Sequence, residues 1–312
     1  MVTYVKYEHI NKNKWDDAID ASLNPYVYAY SYFLDITTGN QWDALIKDDY
    51  EMVMPLPYSK KFGIKYVHQP PFNQQLGIFY KQNCSNFDIF EFIRAIPKKF
   101  KLVELNFNKY LTDRIPEKFV AATNKNFELE VMDDYAKIYA GYSTNLKRNL
   151  KKAEKNNLKE INFVKPEQLV NLFLNNKGKE IKSYKPKEYQ KLIRLSYMLM
   201  HKGKAEIRGV INEMNTVLAA ALFVRSNGRI IFLFSGLSAE GKEKGAMPFL
   251  IDFQLKTRPD SPYILDFEGS NDPNLARFYA GFGAQEFHYQ RLEINHLNPF
   301  IRFAKKAYLK IR

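Results

Sequence analysis

The sequence predicts an α/β protein (mixed α+β) made of two copies of one unit, each a mixed central sheet flanked by helices. Segments with apolar residues at helical spacing alternate along the chain with short strand-like runs. The order of these elements in the first half returns in the second half. Residues 102–106 and 264–268 also alternate apolar with acidic or amide side chains, each after an amphipathic helix. We therefore expect two domains, at 1–140 and 141–312.

The composition is that of a folded globular protein with room for two domains. The chain has 312 residues, of which 46% are hydrophobic and 26% charged, with 14 Gly and 14 Pro. Its one cysteine, Cys84, has no partner for a disulfide within the chain, and the first residues lack the apolar core of a signal peptide. No apolar run reaches the roughly 18–20 residues of a membrane-spanning helix. These features predict a cytoplasmic protein.

The charge balance favours anionic partners. Lys and Arg number 47 against 34 Asp and Glu, which gives a formal net charge of +13. Such a chain attracts nucleotide phosphates, tRNA, acidic lipid headgroups and anionic cell-envelope precursors. Charge alone does not choose among these partners.

The first half of the sequence predicts three helices and several strands. The segment 41–56 divides into two strands around a turn at Asp48 and Asp49, and Pro97 breaks a helix near its end. The predicted helices lie at 15–23, 26–35 and 87–100, and the other strands at 64–68, 101–107 and 127–131.

The second half begins at Ser143, a residue type that caps helices by accepting a hydrogen bond from a backbone amide. A strongly basic helix follows and runs to about Asn156. Turn signals at 212–213 and 226–228 join three strands into a meander. The remaining predicted helices lie at 166–176, 187–201, 248–256 and 273–279, and the strands at 161–164, 205–211, 217–224, 229–237, 263–267 and 286–294.

The end of this order carries a family resemblance. The meander, a Gly-containing turn, a helix and a strand precede Asn-Leu-Ala-Arg-Phe-Tyr-Ala-Gly-Phe-Gly at 274–283, which resembles the closing half of the GNAT acyltransferase fold. Residues 142–155 resemble the opening of the second domain of FemAB-like proteins, which are two GNAT folds in tandem. Residues 56–57 and 68–77 resemble their first domain. The resemblance covers nearly the whole chain and implies two tandem GNAT-like domains with acyltransferase activity.

Three features depart from the family pattern. Residues 242–246 supply a basic residue and a Gly of the loop that binds acyl-CoA pyrophosphate, but Met247 stands where a second small residue belongs. Phe278 and Tyr279 replace the Phe-Lys usual in aminoacyl-tRNA-dependent Fem transferases. No sustained heptad run provides the coiled-coil arm of those enzymes. Met247 therefore weakens a standard CoA site, and the other two departures argue against tRNA.

Three residues are candidates for catalysis. Transfer of an acyl group from a thioester to an amine needs a proton acceptor, hydrogen-bond donors for the carbonyl oxygen and a proton for the thiolate. Tyr279 is the candidate acid, because a phenol with a pKa of about 10 is protonated at pH 7. Glu268 is the candidate base and Asp266 the group that positions the amine, since alternate residues of a strand share one face. The alternatives are a tyrosine that packs at a helix end and carboxylates that hold the loop 269–271.

Acyl-CoA is the predicted donor, and the candidates for binding it are Ser235, Lys242, Lys244, Gly245, Ala246 and Asn271. The backbone amides of Gly245 and Ala246 precede a helix with Pro248 in its first turn, so the helix dipole favours an anion there. Ser235 and Gly236 predict a β-bulge that opens the neighbouring strands. A solvated loop and a simple strand irregularity are the alternatives.

The candidates for binding an anionic substrate fall in two places. Lys147, Arg148 and Lys151 recur at helical spacing on the basic helix, where the alternative is a solvated face. His68 and Gln69 belong to the segment that resembles the first FemAB-like domain.

The segment 300–312 reads as a basic amphipathic helix. Its basic residues are Arg302, Lys305, Lys306, Lys310 and Arg312, and it contains no acidic residue. The alternatives are docking on its own domain and peripheral contact with a membrane.

The histidines and the cysteine do not form a metal-binding motif in the sequence. The five histidines are scattered and Cys84 has no partner at ligand spacing, which predicts no metal site. The leading hypothesis is an N-acyltransferase that moves an acyl group from acyl-CoA to an amine of an anionic small molecule or envelope precursor. The alternatives are aminoacyl-tRNA-dependent transfer of the Fem type and a non-catalytic protein that binds anions or a membrane surface.

Overall fold

The computed structural model describes residues 1–84, 86–132, 134–179, 184–257, 262–269, 271–303 and 305, with 112–114 described by their backbone alone. The chain forms two units, Met1–Thr123 with Tyr289–Arg312, and Asn124–His288, which we call unit 1 and unit 2. Their bounds differ from the predicted domains, 1–140 and 141–312. The reason is that residues 124–140 pack with the second half of the sequence and residues 289–312 with the first.

The strands of unit 1 pair antiparallel except for one parallel pair. Its strands are β1 (Val2–Val5), β2 (Trp42–Lys47), β3 (Met52–Lys61), β4 (Ile64–His68), β5 (Phe79–Tyr80) and β6 (Phe100–Asn106), with the first part of β7 (Val120–Val131) and the last part of β13 (Gln285–Asn295). β1 to β4 pair antiparallel in sequence order, β4 pairs parallel with β6, and β6 pairs antiparallel with β13. The helices are α1 (Lys12–Asp20), α2 (Ser31–Thr38) and α3 (Ile89–Ala95).

Unit 2 contains the rest of β7 and β13 and further strands of mixed direction. Its other strands are β8 (Lys159–Ile161), β9 (Ala205–Ile211), β10 (Val217–Ser226), β11 (Arg229–Leu237) and β12 (Tyr263–Asp266). β8 to β11 pair antiparallel in sequence order, β11 pairs parallel with β12, and β12 pairs antiparallel with β7. The helices are α4 (Tyr135–Ala140), α5 (Thr144–Lys155), α6 (Pro166–Leu174), α7 (Pro186–His201), α8 (Ala239–Lys244), α9 (Ala246–Lys256) and α10 (Pro273–Ala280).

Both units follow the same order of strands. An antiparallel meander leads through helix to a parallel strand, β6 or β12, and each of these contains one of the two segments matched in the sequence. A parallel pair needs such a crossover because its two strands start at the same edge of the sheet. The next strand in space comes from the other half of the chain, β13 beside β6 and β7 beside β12. The predicted mixed α/β class is confirmed, and the duplication stays a prediction.

Each unit has its own core. In unit 1 the rings of Trp15 and Trp42 lie 4.9 Å apart and both are fully buried. In unit 2 the run Ala219 to Val224 of β10 is buried throughout, as expected of a strand covered on both faces. No helix among the described residues is long and apolar enough to cross a bilayer.

Local chemistry shifts several predicted boundaries. α1 begins at Lys12 because the Asn11 side chain accepts the Lys14 N–H, and α3 ends at Ala95 because the residue before Pro97 disfavours helix. The predicted helix at 26–35 is a short 3₁₀ turn followed by α2, and the predicted strand at 161–164 lies at Lys159–Ile161. The Ser143 cap is confirmed, since its Oγ accepts the Leu146 N–H at 3.2 Å.

The predicted bulge at Ser235 and Gly236 is wrong. Both residues pair in register with β10, and the register shift lies at Leu233, where Leu222 opposes Phe234 and Phe223 opposes Phe232. Gly236 is instead required by the close packing of a helix. A Cβ there would lie 2.9 Å from the Phe173 backbone N and 3.0 Å from the Leu169 O, so glycine lets α6 pack against the strand.

We expect Gly236→Ala to lower the free energy of unfolding by about 1–3 kcal/mol, because helix backbone cannot yield to the added methyl group. Gly141→Ala is the matched control, since a Cβ there meets its nearest atom at an ordinary 3.4 Å and φ is −70°. Urea unfolding of both variants measures the difference. Equal stability of the two would contradict the close packing of α6 on β11.

Candidate functional site

The candidate site of unit 2 lies where the parallel strands β11 and β12 stop pairing. They pair at Arg229 with Ile264, Ile230 with Leu265 and Ile231 with Asp266. β12 ends at Asp266, whereas β11 continues to Leu237. In open α/β sheets, ligands bind beyond the carboxyl ends of parallel strands. Of the three predicted catalytic residues, Asp266 is the last residue of β12, and Glu268 and Tyr279 follow it in the chain.

A buried ion cluster fixes the end of β12. The Arg229 Nη1 lies 3.1 Å from the Glu128 Oε1 and 3.3 Å from the Asp266 Oδ2, and all three side chains are at most 6% exposed. The Asn126 amide donates to both carboxylates, at 3.1 Å and 3.2 Å. Arg229, Glu128 and Asp266 come from three neighbouring strands, β11, β7 and β12.

The cluster holds one cation between two carboxylates, and this balance affects protonation. Burial raises the pKa of Asp266 above its usual range; the Arg229 charge opposes the rise and the Glu128 carboxylate adds to it. Folding therefore favours the protonated acid. The contribution of Asp266 to stability is fully present below its unfolded pKa and is lost as pH rises through the raised value.

Asp266 also positions Glu268 directly. Its Oδ1 accepts the Glu268 N–H at 2.9 Å, and the Glu268 carbonyl accepts the Phe127 N–H at 3.1 Å. The Glu268 backbone has a φ of +59°, in the left-handed region that non-glycine residues seldom adopt. β12 ends at Asp266, so the prediction that Asp266 and Glu268 share one strand face stays a prediction.

Tyr279 lies in the last turn of α10 and is 8% exposed. Its ring stacks on Phe267 with centroids 5.0 Å apart. Burial raises the pKa of the Tyr279 phenol, and the charges of Glu268 and Asp272 raise it further. The structure therefore brings the predicted acid and base within electrostatic range of each other and keeps the phenol protonated.

A second tyrosine belongs to the same environment and was not predicted. Tyr184 is 37% exposed. Desolvation raises the pKa of its hydroxyl, and the charge of Glu268 raises that pKa further. A cavity of about 330 Å³ beside it is lined by α6 and α7, with Glu167, Asn171 and Gln190 among its polar residues. The sequence offers no signal for Tyr184, which lies in a loop.

The members of the ion cluster that were not predicted are polar residues in or beside apolar strands, a pattern that the sequence does show. Arg229 is a charged residue at the start of an apolar strand, directly after the Asn227-Gly228 turn. Glu128 alternates with apolar residues in the predicted strand at 127–131, and Asn126 precedes it. Fully buried polar residues in such strands require partners, and here they are partners of one another.

The predicted pyrophosphate loop is arranged differently from the expectation. The Gly245 N–H donates to the Gly241 carbonyl, so this amide is engaged within the chain. Ala246, Met247 and Pro248 are buried at the start of α9. Gly245 has a φ of +77°, and a Cβ there would lie 2.6 Å from the Asn149 O. It therefore lets α5 approach this turn closely.

The side chains predicted to bind the cofactor lie at the surface of unit 2. Lys242 is exposed, and the Lys244 Nζ lies 2.8 Å from the Glu240 carboxylate. Ser235 is half-buried opposite Ala221. Asn271 accepts the Lys125 N–H at 3.1 Å and donates to Asn124 at 3.1 Å, which fastens the loop after β12 to β7.

The basic helix α5 begins beside the end of α10. The Ser143 N–H donates to the Gly281 carbonyl at 2.9 Å, which joins the start of α5 to the turn after Tyr279. The Lys147 Nζ donates to the Ala140 O at 3.0 Å, and Arg148 donates to its own helix at Asn145. Lys151 is exposed.

The remaining predicted residues belong to unit 1. The His68 Nε2 lies 2.8 Å from the Ser59 Oγ. Gln69 donates to the Asn73 O at 2.6 Å and accepts the Asn106 N–H at 3.0 Å, so both ends of its amide hold the turn after β4. Of the segment 300–312, residues 304 and 306–312, including Lys306, Lys310 and Arg312, lie outside the described residues. Within the described part of the chain, no group of three or more His, Cys, Asp or Glu side chains is placed to hold a metal ion.

Solved structures show the fold class. No family model matches this chain, and no curated protein matches it. FemX is similar with a TM-score of 0.66 at 11% identity, over 90% of this chain and 96% of FemX. A C-terminal domain assigned to a lysylphosphatidylglycerol synthetase from Agrobacterium fabrum is similar with a TM-score of 0.56 at 9% identity, over 95% and 94%. L-PGS from Bacillus licheniformis is similar with a TM-score of 0.52 at 11% identity, over 85% and 88%. The chain therefore shares the fold of FemX.

We expect Arg229→Met to lower the free energy of unfolding by about 3–5 kcal/mol at pH 8, because it leaves two buried carboxylates without a cation. The loss should be smaller at pH 5, where the raised pKa of Asp266 allows it to be protonated. Arg225→Met is the matched control on the same hairpin, where a pair with Glu206 is 48% and 24% exposed and contributes less than about 1 kcal/mol. Urea unfolding at both pH values tests this, and equal losses for the two variants would contradict it.

Proposed function

We propose that unit 2 catalyses acyl transfer to an amine, with Glu268 as the proton acceptor, Tyr279 as a hydrogen-bond donor and Asp266 as the residue that positions Glu268. The observation that carries the proposal is the left-handed backbone of Glu268 at the carboxyl end of β12. Both backbone groups of this residue are held, by Asp266 and by Phe127. A carboxylate carried by a backbone fixed at the end of a parallel pair is well placed to meet a ligand.

The strain at Glu268 supports a functional role. A non-glycine residue held in a sparsely populated conformation costs on the order of 1–3 kcal/mol, and such residues concentrate at active sites. Gly269 follows directly and would adopt the conformation freely. A glycine at position 268 would not carry this backbone strain.

The reaction balances with these groups. The amine nitrogen attacks the acyl carbon, a C–N bond forms, and the amine proton passes to the Glu268 carboxylate. The C–S bond of a thioester, or the C–O bond of an aminoacyl ester, then breaks, and the leaving group takes the proton that Glu268 received. Because its pKa is raised, Tyr279 stays protonated and donates a hydrogen bond to the developing negative charge rather than its proton.

The fold supports the same reaction class. FemX and a domain assigned to a lysylphosphatidylglycerol synthetase share this fold over most of the chain. The basic helix α5, joined to the end of α10, is proposed to hold the anionic part of the acceptor. Its Lys147, Arg148 and Lys151 would supply the charge.

The proposed donor is acyl-CoA, and an aminoacyl-tRNA is the second candidate. One observation favours the second: the Gly245 amide is engaged and Ala246 and Met247 are buried, which leaves fewer donors for a pyrophosphate. Thermal unfolding with acetyl-CoA and, separately, with alanyl-tRNA distinguishes them. A ligand at about 100 times its Kd adds roughly 2.7 kcal/mol to stability and raises Tm by several degrees. If neither donor raises Tm, the result would favour a non-catalytic binding protein.

We expect Glu268→Gln to lower kcat about 10²- to 10⁴-fold while Tm stays close to the parental value, because Gln keeps the size of the side chain and loses only the base. The assay is release of free thiol from acetyl-CoA in the presence of a panel of primary amines, or loss of the aminoacyl group from alanyl-tRNA. Glu243→Gln, an exposed carboxylate on α8, is the control and should retain the parental rate. Parental turnover by Glu268→Gln would remove Glu268 from the mechanism.

We expect Tyr279→Phe to lower kcat with little change in KM for the donor, because the ring keeps its stacking on Phe267 and only the hydroxyl is lost. A hydroxyl with only a structural role would instead change stability by about 0.5–1.5 kcal/mol and leave kcat unaltered. Steady-state kinetics and urea unfolding of the same preparation separate these results.

A further inference from the structure

The hairpin between β3 and β4 ends in an exposed aromatic residue with a strained backbone. Lys61 pairs with Ile64, so Phe62 and Gly63 form a two-residue turn, and their φ angles are +49° and +78°. Asn-Gly is the preferred pair in such a turn, because both residues need positive φ. Phe62 is 91% exposed and therefore buries almost nothing in return. The stability of the fold does not explain a phenylalanine at this position.

Strand register places this turn at one edge of the sheet of unit 1. Lys65 of β4 pairs with Phe100 of β6, and the His296 N–H donates to the Lys101 O just after β13 ends. The start of β4, the start of β6 and the end of β13 therefore lie side by side, at a spacing of about 4.8 Å per strand. We call this place the basic edge and define it by Lys60, Lys61, Phe62, Lys65, Lys98, Lys99, Lys101 and residues 296–303.

The basic edge concentrates positive charge. Lys60, Lys61, Lys98, Lys99 and Lys101 are exposed, and Lys65 is half-buried with its Nζ 5.1 Å from the Tyr58 ring centroid. The Lys61 Nζ lies 5.5 Å from the Phe62 ring centroid, beside the tip itself. Lys99 has an acidic neighbour, the Asp43 carboxylate at 3.7 Å. Six lysines on three adjacent chain segments form a patch that attracts an extended anionic surface.

A second exposed aromatic segment projects from the same edge. Residues 299–303 are helical, and Phe300 and Phe303 are 85% and 76% exposed. Three residues apart, they lie on one side of the helix. The Arg302 guanidinium fastens the segment by donating to the Leu297 O at 3.0 Å and to the Asn295 O. The edge thus carries aromatic side chains on two elements, with lysines between them.

We propose that the basic edge of unit 1 docks onto a bilayer that contains anionic lipids, with Phe62 entering the interfacial region. Aromatic side chains favour that region, and lysines near a negatively charged leaflet add electrostatic attraction. A nucleic acid would use the lysines, but rings on two separate elements, the β3–β4 turn and the segment 299–303, suit the stacking of successive bases less well than one continuous platform. This proposal is independent of acyl transfer in unit 2.

The test uses sedimentation of the full chain with vesicles of phosphatidylcholine containing about 30% phosphatidylglycerol, against phosphatidylcholine alone, at about 0.1 M salt. Phe62→Asn should reduce binding about tenfold, because the aromatic ring is lost. The same variant should raise Tm, because Asn-Gly suits the turn. Met214→Asn is the matched control, an 85% exposed apolar residue in the β9–β10 turn of unit 2, and should bind like the parent.

A charge variant completes the test. Lys98→Glu with Lys101→Glu should abolish the phosphatidylglycerol-dependent binding, whereas Lys159→Glu with Lys165→Glu, exposed lysines of unit 2, should retain it. The proposal is overturned if the parent ignores phosphatidylglycerol, if Phe62→Asn binds like the parent, or if that variant lowers Tm and so reveals a structural role. Binding of tRNA that needs the lysines but not Phe62, without vesicle binding, would assign the edge to nucleic acid instead.

Discussion

The buried cluster of Arg229, Glu128 and Asp266 is the interaction on which the candidate site of unit 2 depends. Each of three neighbouring strands contributes one member, so the cluster sets the register in which β7, β11 and β12 meet. Removal of Arg229 would leave two buried carboxylates without a cation, so the cluster resists rearrangement. Asp266 transmits this rigidity, because its second oxygen accepts the Glu268 N–H and turns the backbone at the point where a ligand would approach.

The topology explains why such a cluster forms there. β12 is a short parallel strand whose second neighbour, β7, comes from the other half of the sequence. A strand buried between two others has its backbone hydrogen bonds satisfied on both sides, and the polar side chains it carries must find partners across those strands. Glycines then bring the covering helices close: Gly236 admits α6, and Gly245 admits α5. The site is therefore assembled from segments far apart in the chain.

This non-local assembly separates what the sequence predicts from what it does not. The Ser143 cap, the β9–β11 meander and the place of Tyr279 in a helix end follow from local chemistry, and the structure shows each of them. The partner of Arg229 and the end of strand alternation at Asp266 depend on neighbours that periodicity does not identify. The hydrogen bond of the Gly245 N–H also depends on a neighbour that was not predicted. The sequence shows a glycine before a helix, but not the preceding turn of α8 whose carbonyl accepts that N–H.

Backbone strain distinguishes ordinary turns from positions that carry another role. Asn40, Asn157, Asn215 and Asn227 hold positive φ, which asparagine tolerates, and they need no further explanation. Tyr50 also has positive φ, but its hydroxyl accepts the Asn11 N–H at 2.8 Å, so the side chain has a structural contact that offsets the strain. Phe62 is almost fully exposed, and Glu268 stands at the end of a parallel strand with glycine directly after it. Asparagine or glycine would suit the backbone of the Phe62 turn better, so the exposed ring points to a contact outside the folded chain.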